Sequence, residues 1–112
     1  MHIIDYNKLV TMFAGDRAKV DSLLAALNKR IPEWQEELEE ASAQPYDREK
    51  IRQICHKISG AAGTITAEKT AHLTESLRTA CKTGDDAAIT DRLEQLHHSL
   101  IELISFTPPP AP

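Results

Sequence analysis

Aromatic side chains are scarce in this 112-residue chain, with one tryptophan, two tyrosines and two phenylalanines. A core must therefore rest on Leu, Ile, Val and Ala. Glycine is equally thin at four residues, and the six prolines gather mostly after Thr107. That leaves too little turn material for an all-β fold. No apolar run approaches the roughly 18 residues of a membrane span. The start Met1-His2-Ile3-Ile4 has neither the basic region nor the long apolar run of a signal peptide, so a soluble, cytoplasmic setting without direct membrane contact is expected. In that setting the two cysteines, Cys55 and Cys81, read as reduced core residues rather than a disulfide. A basic excess is also missing. The net charge is −4, and binding to a phosphate backbone needs a basic surface, so nucleic acid is not an expected partner. No Gly-rich loop leads into a Lys-Ser/Thr pair, which removes the usual cradle for nucleotide phosphates.

What is present is helical periodicity. Asp5 can cap a short helix in which Tyr6, Leu9, Val10 and Phe13 share a face, stopped at Ala14-Gly15. Asp16 can cap the next, whose apolar face runs Val20, Leu23, Leu24, Leu27, Ile31, Trp34 and Leu38. Pro32 falls inside it, and the unbroken phase beyond favours a kink over a break. Residues 41–46 form a loop around Pro45, and Asp47 caps a third helix. Thr66 is the expected cap of a fourth, carrying Thr70, Leu73, Leu77, Ala80 and Cys81 and closed by Lys82-Thr83-Gly84. Asp85 or Asp86 starts a fifth, with Ile89, Leu93, Leu96, Leu100 and Leu103 spaced like a bundle seam. Short loops between these elements predict an all-α fold, an antiparallel four-helix bundle with an additional short N-terminal helix. Residues 1–106 make one domain, and 107–112 make a proline-rich tail with no packing role assigned. The acid-rich stretch Glu33–Glu40 reads as solvated surface.

The third helix organises the rest. Its apolar residues Ile51, Ile54, Cys55, Ile58, Ala61, Ala62 and Ile65 fall in one stripe roughly 120° wide. His56 lies about 160° from the middle of that stripe, facing solvent, with Gly60 and Gly63 within about 40° of it on the same outward face. Helical glycine costs about 1 kcal/mol relative to alanine, so two beside one histidine suggest close approach by another molecule. The alternative is that Gly60 ends the helix as its C′ residue. Against that, Ala61, Ala62 and Ile65 keep the stripe in phase beyond it. Arg48, Lys50, Arg52 and Lys57 oppose only Glu49 here, so the histidine sits in a locally positive segment of an acidic chain, a setting that suits phosphate.

Three chemistries compete for these residues. Ser59 and His56 on one exposed helix lack both an orienting acid and an oxyanion pocket, which disfavours serine hydrolysis. The histidines His2, His56, His72, His97 and His98 give no metal-gripping spacing, because His97 and His98 diverge by about 100° on a helix; no metal is expected. The third is His56 as a nucleophile toward phosphorus, since free imidazole is partly neutral near pH 7 and can take up and surrender a phosphoryl group.

The run His56-Lys57-Ile58-Ser59-Gly60-Ala61-Ala62-Gly63, with its flanking helices and the Thr83-Gly84-Asp85 turn, resembles a histidine phosphotransfer (HPt) domain. The likeness extends over Asp16 to about Phe106 and is especially to the modules that end hybrid sensor kinases or to their free-standing relatives. It implies a bundle that accepts a phosphoryl group on His56 from a receiver-domain aspartate and passes it to a response regulator. No cofactor is implied in this chain, with Mg²⁺ expected on the partner receiver, and the bundle is expected to be a monomer without autonomous catalysis. Carried over by position, His56 is the phosphoacceptor and Gly60 opens the surface beside it. Arg52, Gln53, Lys57, Ser59 and Gly63 join them as residues that would steady the phosphoryl group or clear its surroundings. Two positions depart from the family pattern. Ser59 stands where lysine is common, and Thr66 where many members have glycine. The rival expectation is an adaptor or kinase-binding bundle that does no chemistry.

Overall fold

Aspartate caps set where most of the helices begin. The computed structural model describes residues 3–110; Met1, His2, Ala111 and Pro112, and with them one histidine and the end of the tail, lie outside the described residues. The elements are α1 (Tyr6–Met12), α2 (Arg17–Ala41), α3 (Arg48–Thr64), α4 (Glu68–Thr83) and α5 (Asp86–Ser105). Asp5, Asp16, Asp47 and Asp85 accept from the backbone N–H of Lys8, Lys19, Lys50 and Ala88 at 3.1, 3.0, 3.1 and 2.9 Å, which satisfies an orphan donor at the head of α1, α2, α3 and α5. The helix α2 runs through Pro32 without interruption, and Ile31, Trp34 and Leu38 are buried on either side of it. The loop after it contains a cis peptide at Gln44-Pro45.

One expected cap is corrected. The residue at the head of α4 is Ala67, which makes no side-chain cap. Thr66 instead ends α3. It sits in the left-handed region at φ +61°, its N–H reaches the Gly63 carbonyl at 3.4 Å, and the Ala67 N–H reaches back to the Ala62 carbonyl at 2.9 Å. This is the Schellman pattern with Thr66 at C′ and Ala62 packed in the core beside Ala67. The reversal between two long helices is confined to three residues, so one of them must take the left-handed backbone that glycine adopts most easily. Ala14, at φ +56°, does the same for α1.

The helices α2, α3, α4 and α5 close a ring: α3 packs on α4, α4 on α5, α5 on α2 and α2 on α3, while α1 lies against α2. The molecule measures 50 × 21 × 19 Å, its long axis exceeding the roughly 38 Å length of α2, the longest helix. Its core is aliphatic, as the aromatic shortage requires: Leu9, Val20, Ile31, Ile51, Ile54, Leu77, Ile89, Leu96 and Leu100 are all completely covered. Leu73 and Leu93 are only half-buried, whereas the polar Thr70, Thr74 and Ser99 are buried. Those hydroxyls are satisfied, Thr70 with Ser99 across the α4–α5 seam at 2.6 Å and Thr74 by donating to the Ala71 carbonyl at 2.6 Å. Contacts gather where the tail leaves the bundle. The Phe106 ring lies 6.3 Å from that of Tyr6, and the Arg17 guanidinium donates to the Pro109 carbonyl at 2.6 Å. Arg17 stands 5.0 Å over the Tyr6 ring, so one cation joins α1, α2 and the tail. Among the described residues no helix is long and apolar enough to cross a membrane.

Candidate functional site

The helix α3 continues four residues past Gly60, so neither Gly60 nor Gly63 stops it. Ile51, Ile54, Cys55, Ile58 and Ala62 are buried on its inner side, while His56, Lys57, Gly60 and Gly63 are exposed. A Cβ added at Gly60 or Gly63 would meet no atom within 4 Å. Nothing within the chain therefore requires glycine at either place, and each costs the helix about 1 kcal/mol relative to alanine. The consequence is a helical surface beside His56 left bare over two turns.

On the other side of the ring the surface is furnished. Glu49, Arg52, Gln53, His56 and Lys57 of α3 and Arg78 of α4 line one shallow, open depression. Each of its cations is tied to a carboxylate. The Arg52 Nη1 donates to Glu49 Oε2 at 2.9 Å, the Arg78 Nη1 to Glu75 Oε1 at 2.7 Å, and the Lys57 Nζ stands 3.9 Å from Glu37 of α2. These are partly exposed pairs of the kind that contribute little to stability, so the cations can be redirected toward a stronger anion at small cost. The Arg52 Nε is covered and has no hydrogen-bond partner.

Of the residues singled out in the sequence, His56, Arg52, Gln53 and Lys57 share this depression, and Gly60 and Gly63 extend the exposed face beyond it. Ser59 is half-buried and does not line it. Arg78 is the residue sequence reasoning missed. It lies 22 positions beyond His56 in another helix, and only the packing of α4 against α3 brings it near; its one local signal was an i,i+3 pairing with Glu75 that marks an exposed face.

Cys55, adjacent to His56 in sequence, faces the core. Burial, with the nearby Cys81 thiol adding to it, pushes the Cys55 thiol up to about 12, and burial likewise raises that of Cys81. A thiol held protonated is a poor nucleophile, so the reactive group this surface offers is the imidazole. Elsewhere, His72, His97 and His98 are exposed, and the rings of His97 and His98 are 6.1 Å apart and tilted by 59°. Among the described residues no three His, Cys, Asp or Glu side chains gather to hold a metal ion.

The arrangement is an accessible imidazole with cations on one flank and bare backbone on the other. Among known proteins, a family profile described as Hpt domain matches residues 18–106, which take in α3, α4, α5 and all but the first residue of α2. Neither curated proteins nor solved structures return a match.

Proposed function

The chain belongs to the Hpt domain family, whose members are phosphotransfer modules of two-component signalling and interact with receiver domains, and from that premise we propose that His56 is its phosphoacceptor. The observation that carries this reading is the imidazole exposed in the middle of an unbroken helix beside two glycines whose surroundings are empty. A receiver domain, itself folded around the aspartate it phosphorylates, needs a convex, uncrowded surface to bring that aspartate to the ring. A helix with side chains at positions 60 and 63 would hold it away.

In the forward step a lone pair on one ring nitrogen attacks phosphorus, the N–P bond forms, and the P–O bond to the receiver aspartate breaks with its electrons leaving on the carboxylate. The ring keeps the proton on its other nitrogen and becomes a phosphoimidazolium. In the onward step a carboxylate of a second receiver attacks phosphorus and the neutral imidazole departs. Both steps pass through a loose transition state, where positioning and charge stabilisation govern the rate. The Mg²⁺ that supports the chemistry belongs to the receiver. This chain contributes the nucleophile, the cationic flank of Arg52, Lys57 and Arg78, and the open face of Gly60 and Gly63; Gln53 adds an amide that can donate to a phosphoryl oxygen. Acting as a monomer in the cytoplasm, free-standing or as the end of a hybrid sensor kinase, it relays the group between receivers.

The experiment is transfer from a panel of phosphorylated receiver domains to the wild-type chain and to His56→Gln. Wild type takes up label that is lost in acid and kept in alkali, as for a phosphoimidazole. His56→Gln takes up none and keeps its helical circular-dichroism spectrum. Label retained by the variant, or no label on wild type from any receiver while binding persists with His56→Ala, overturns the reading in favour of a bundle that binds without chemistry.

A further inference from the structure

On the reading that His56 carries the phosphoryl group, the position that usually supplies its cation is empty: Ser59 is half-buried, short and outside the depression. Side chains on a helix lean toward its N-terminus. His56 therefore leans toward Arg52, while Arg52 leans away from it toward Glu49, the carboxylate it already bonds at 2.9 Å. Only residues following His56 on α3 could lean back over it, and on its exposed face those are Ser59, Gly60 and Gly63. Lys57 lies about 100° around the helix. It reaches toward Glu37 and also lines the separate α2–α3 groove beside Trp34, so it faces the other neighbour.

The adjoining helix supplies what α3 does not. The link from α3 to α4 reverses the chain at Thr66, so α4 runs back alongside α3. At 1.5 Å per residue, His56 stands about 15 Å before that turn and Arg78 about 18 Å after it. The two positions therefore stand within about 3 Å of one axial level, and the bond to Glu75, three residues earlier, draws the Arg78 guanidinium toward the turn, so release from Glu75 frees it to swing back toward the histidine. The same depression is lined by both. Its present partner is exposed, whereas a phosphoryl dianion offers a planar guanidinium two charge-assisted hydrogen bonds at once.

We propose that Arg78, released from Glu75, is the residue that holds the phosphoryl oxygens on phosphorylated His56, a role moved from the helix of the histidine to its neighbour. No bond to phosphorus is made or broken by Arg78. It exchanges one carboxylate for the phosphoryl group and returns to Glu75 when the group leaves.

The test uses phosphoramidate, a small phosphoryl donor that needs no receiver and releases ammonia as the N–P bond to His56 forms. Wild type, His56→Gln, Arg78→Ala, Arg78→Lys, Glu75→Gln and Lys57→Ala are each followed by ³¹P NMR across pH. Arg78→Ala slows uptake about tenfold and raises the pKa of the bound phosphoryl group by about one unit, the size of effect an opposite charge at contact produces. Arg78→Lys recovers part of both, Glu75→Gln takes up label at least as fast as wild type, and Lys57→Ala slows uptake by less than Arg78→Ala does. A purely structural Arg78 would leave the phosphoryl titration where it is in wild type. Arg78→Ala matching wild type in rate and titration, or Lys57→Ala exceeding it in effect, overturns the assignment while the role of His56 stands. Label persisting in His56→Gln overturns the role of His56 itself and the assignment with it.

Discussion

The Arg48 guanidinium donates to the Gly84 carbonyl at 2.8 Å, and with it one side chain joins the ends of three helices. The same group reaches the Cys81 carbonyl at 3.2 Å and the Asp86 carboxylate at 3.0 Å. A cation at the head of α3 thus satisfies carbonyls at the tail of α4 and steadies the first turn of α5. Gly84 cannot be enlarged there, because a Cβ would come within 2.8 Å of the Ala80 carbonyl oxygen. Arg48→Ala should destabilise the bundle by about 2 kcal/mol, the range for hydrogen bonds from a charged donor. Arg48→Lys should recover less than half, since an ammonium cannot span all three acceptors. Urea unfolding midpoints of the three proteins measure both.

Thr66 makes the second prediction. A β-branched residue at φ +61° bears a steric penalty of about 1–2 kcal/mol that glycine does not. Its hydroxyl offers a long compensating bond, 3.4 Å, to the Asp5 carbonyl. Thr66→Gly should therefore raise stability by about 1 kcal/mol, the gain reduced by the entropy that glycine adds to the unfolded chain. A thermal midpoint several degrees higher is the expected readout; an unchanged or lower one would mean that the hydroxyl bond outweighs the strain.

Thr66 also shows where the sequence stopped being legible. Its identity allows an N-cap, and the pattern after it is helical, so the spacing read it as the start of α4. The backbone uses it to finish α3, because a three-residue reversal leaves no room for both a stop and a cap. Period and capping are local, and from them all five helices, the core stripe of α3 and the exposure of His56 could be read directly. Contacts between helices are not local. That Arg78 shares a depression with His56, that Arg17 reaches Pro109 and that Thr70 pairs with Ser99 depend on axial registers between neighbours that no single helix encodes.

The thiol buried behind His56 sets a pH dependence. In the unfolded chain Cys55 ionises near its ordinary value of 9.0, while in the fold burial holds it up to about 12. Below pH 9 both states keep the proton and the thiol contributes no slope. Between 9 and 12 the unfolded state loses it first, so stability falls as pH rises, by up to about 1.4 kcal/mol per unit from this group. Urea midpoints at pH 8 and pH 10 should therefore draw apart more in wild type than in Cys55→Ala, by about 1 kcal/mol once converted. Equal separations in the two proteins would show that Cys55 is solvated enough to ionise in place. Alkylation by iodoacetamide at pH 8 should likewise be slow until urea is added.

Gly60 separates what the fold wants from what a partner wants. It lies inside α3 with open space where a Cβ would go, so Gly60→Ala should stabilise the bundle by about 1 kcal/mol through helix propensity alone. If the bare face exists to admit a receiver, the same substitution should slow transfer from phosphorylated receivers, by about threefold for Ala and by more than about tenfold for Gly60→Leu, the loss expected when packed protein surfaces are held apart. Uptake from phosphoramidate should be unaffected in both, because a donor of a few atoms does not reach across to position 60. The paired measurement distinguishes the causes: a variant more stable than wild type, fully reactive toward the small donor and slow only with receivers has lost access rather than chemistry. Receiver transfer by Gly60→Leu at the wild-type rate would mean that the open helix surface plays no part in docking, and the glycine would then stand in α3 at a cost that nothing repays.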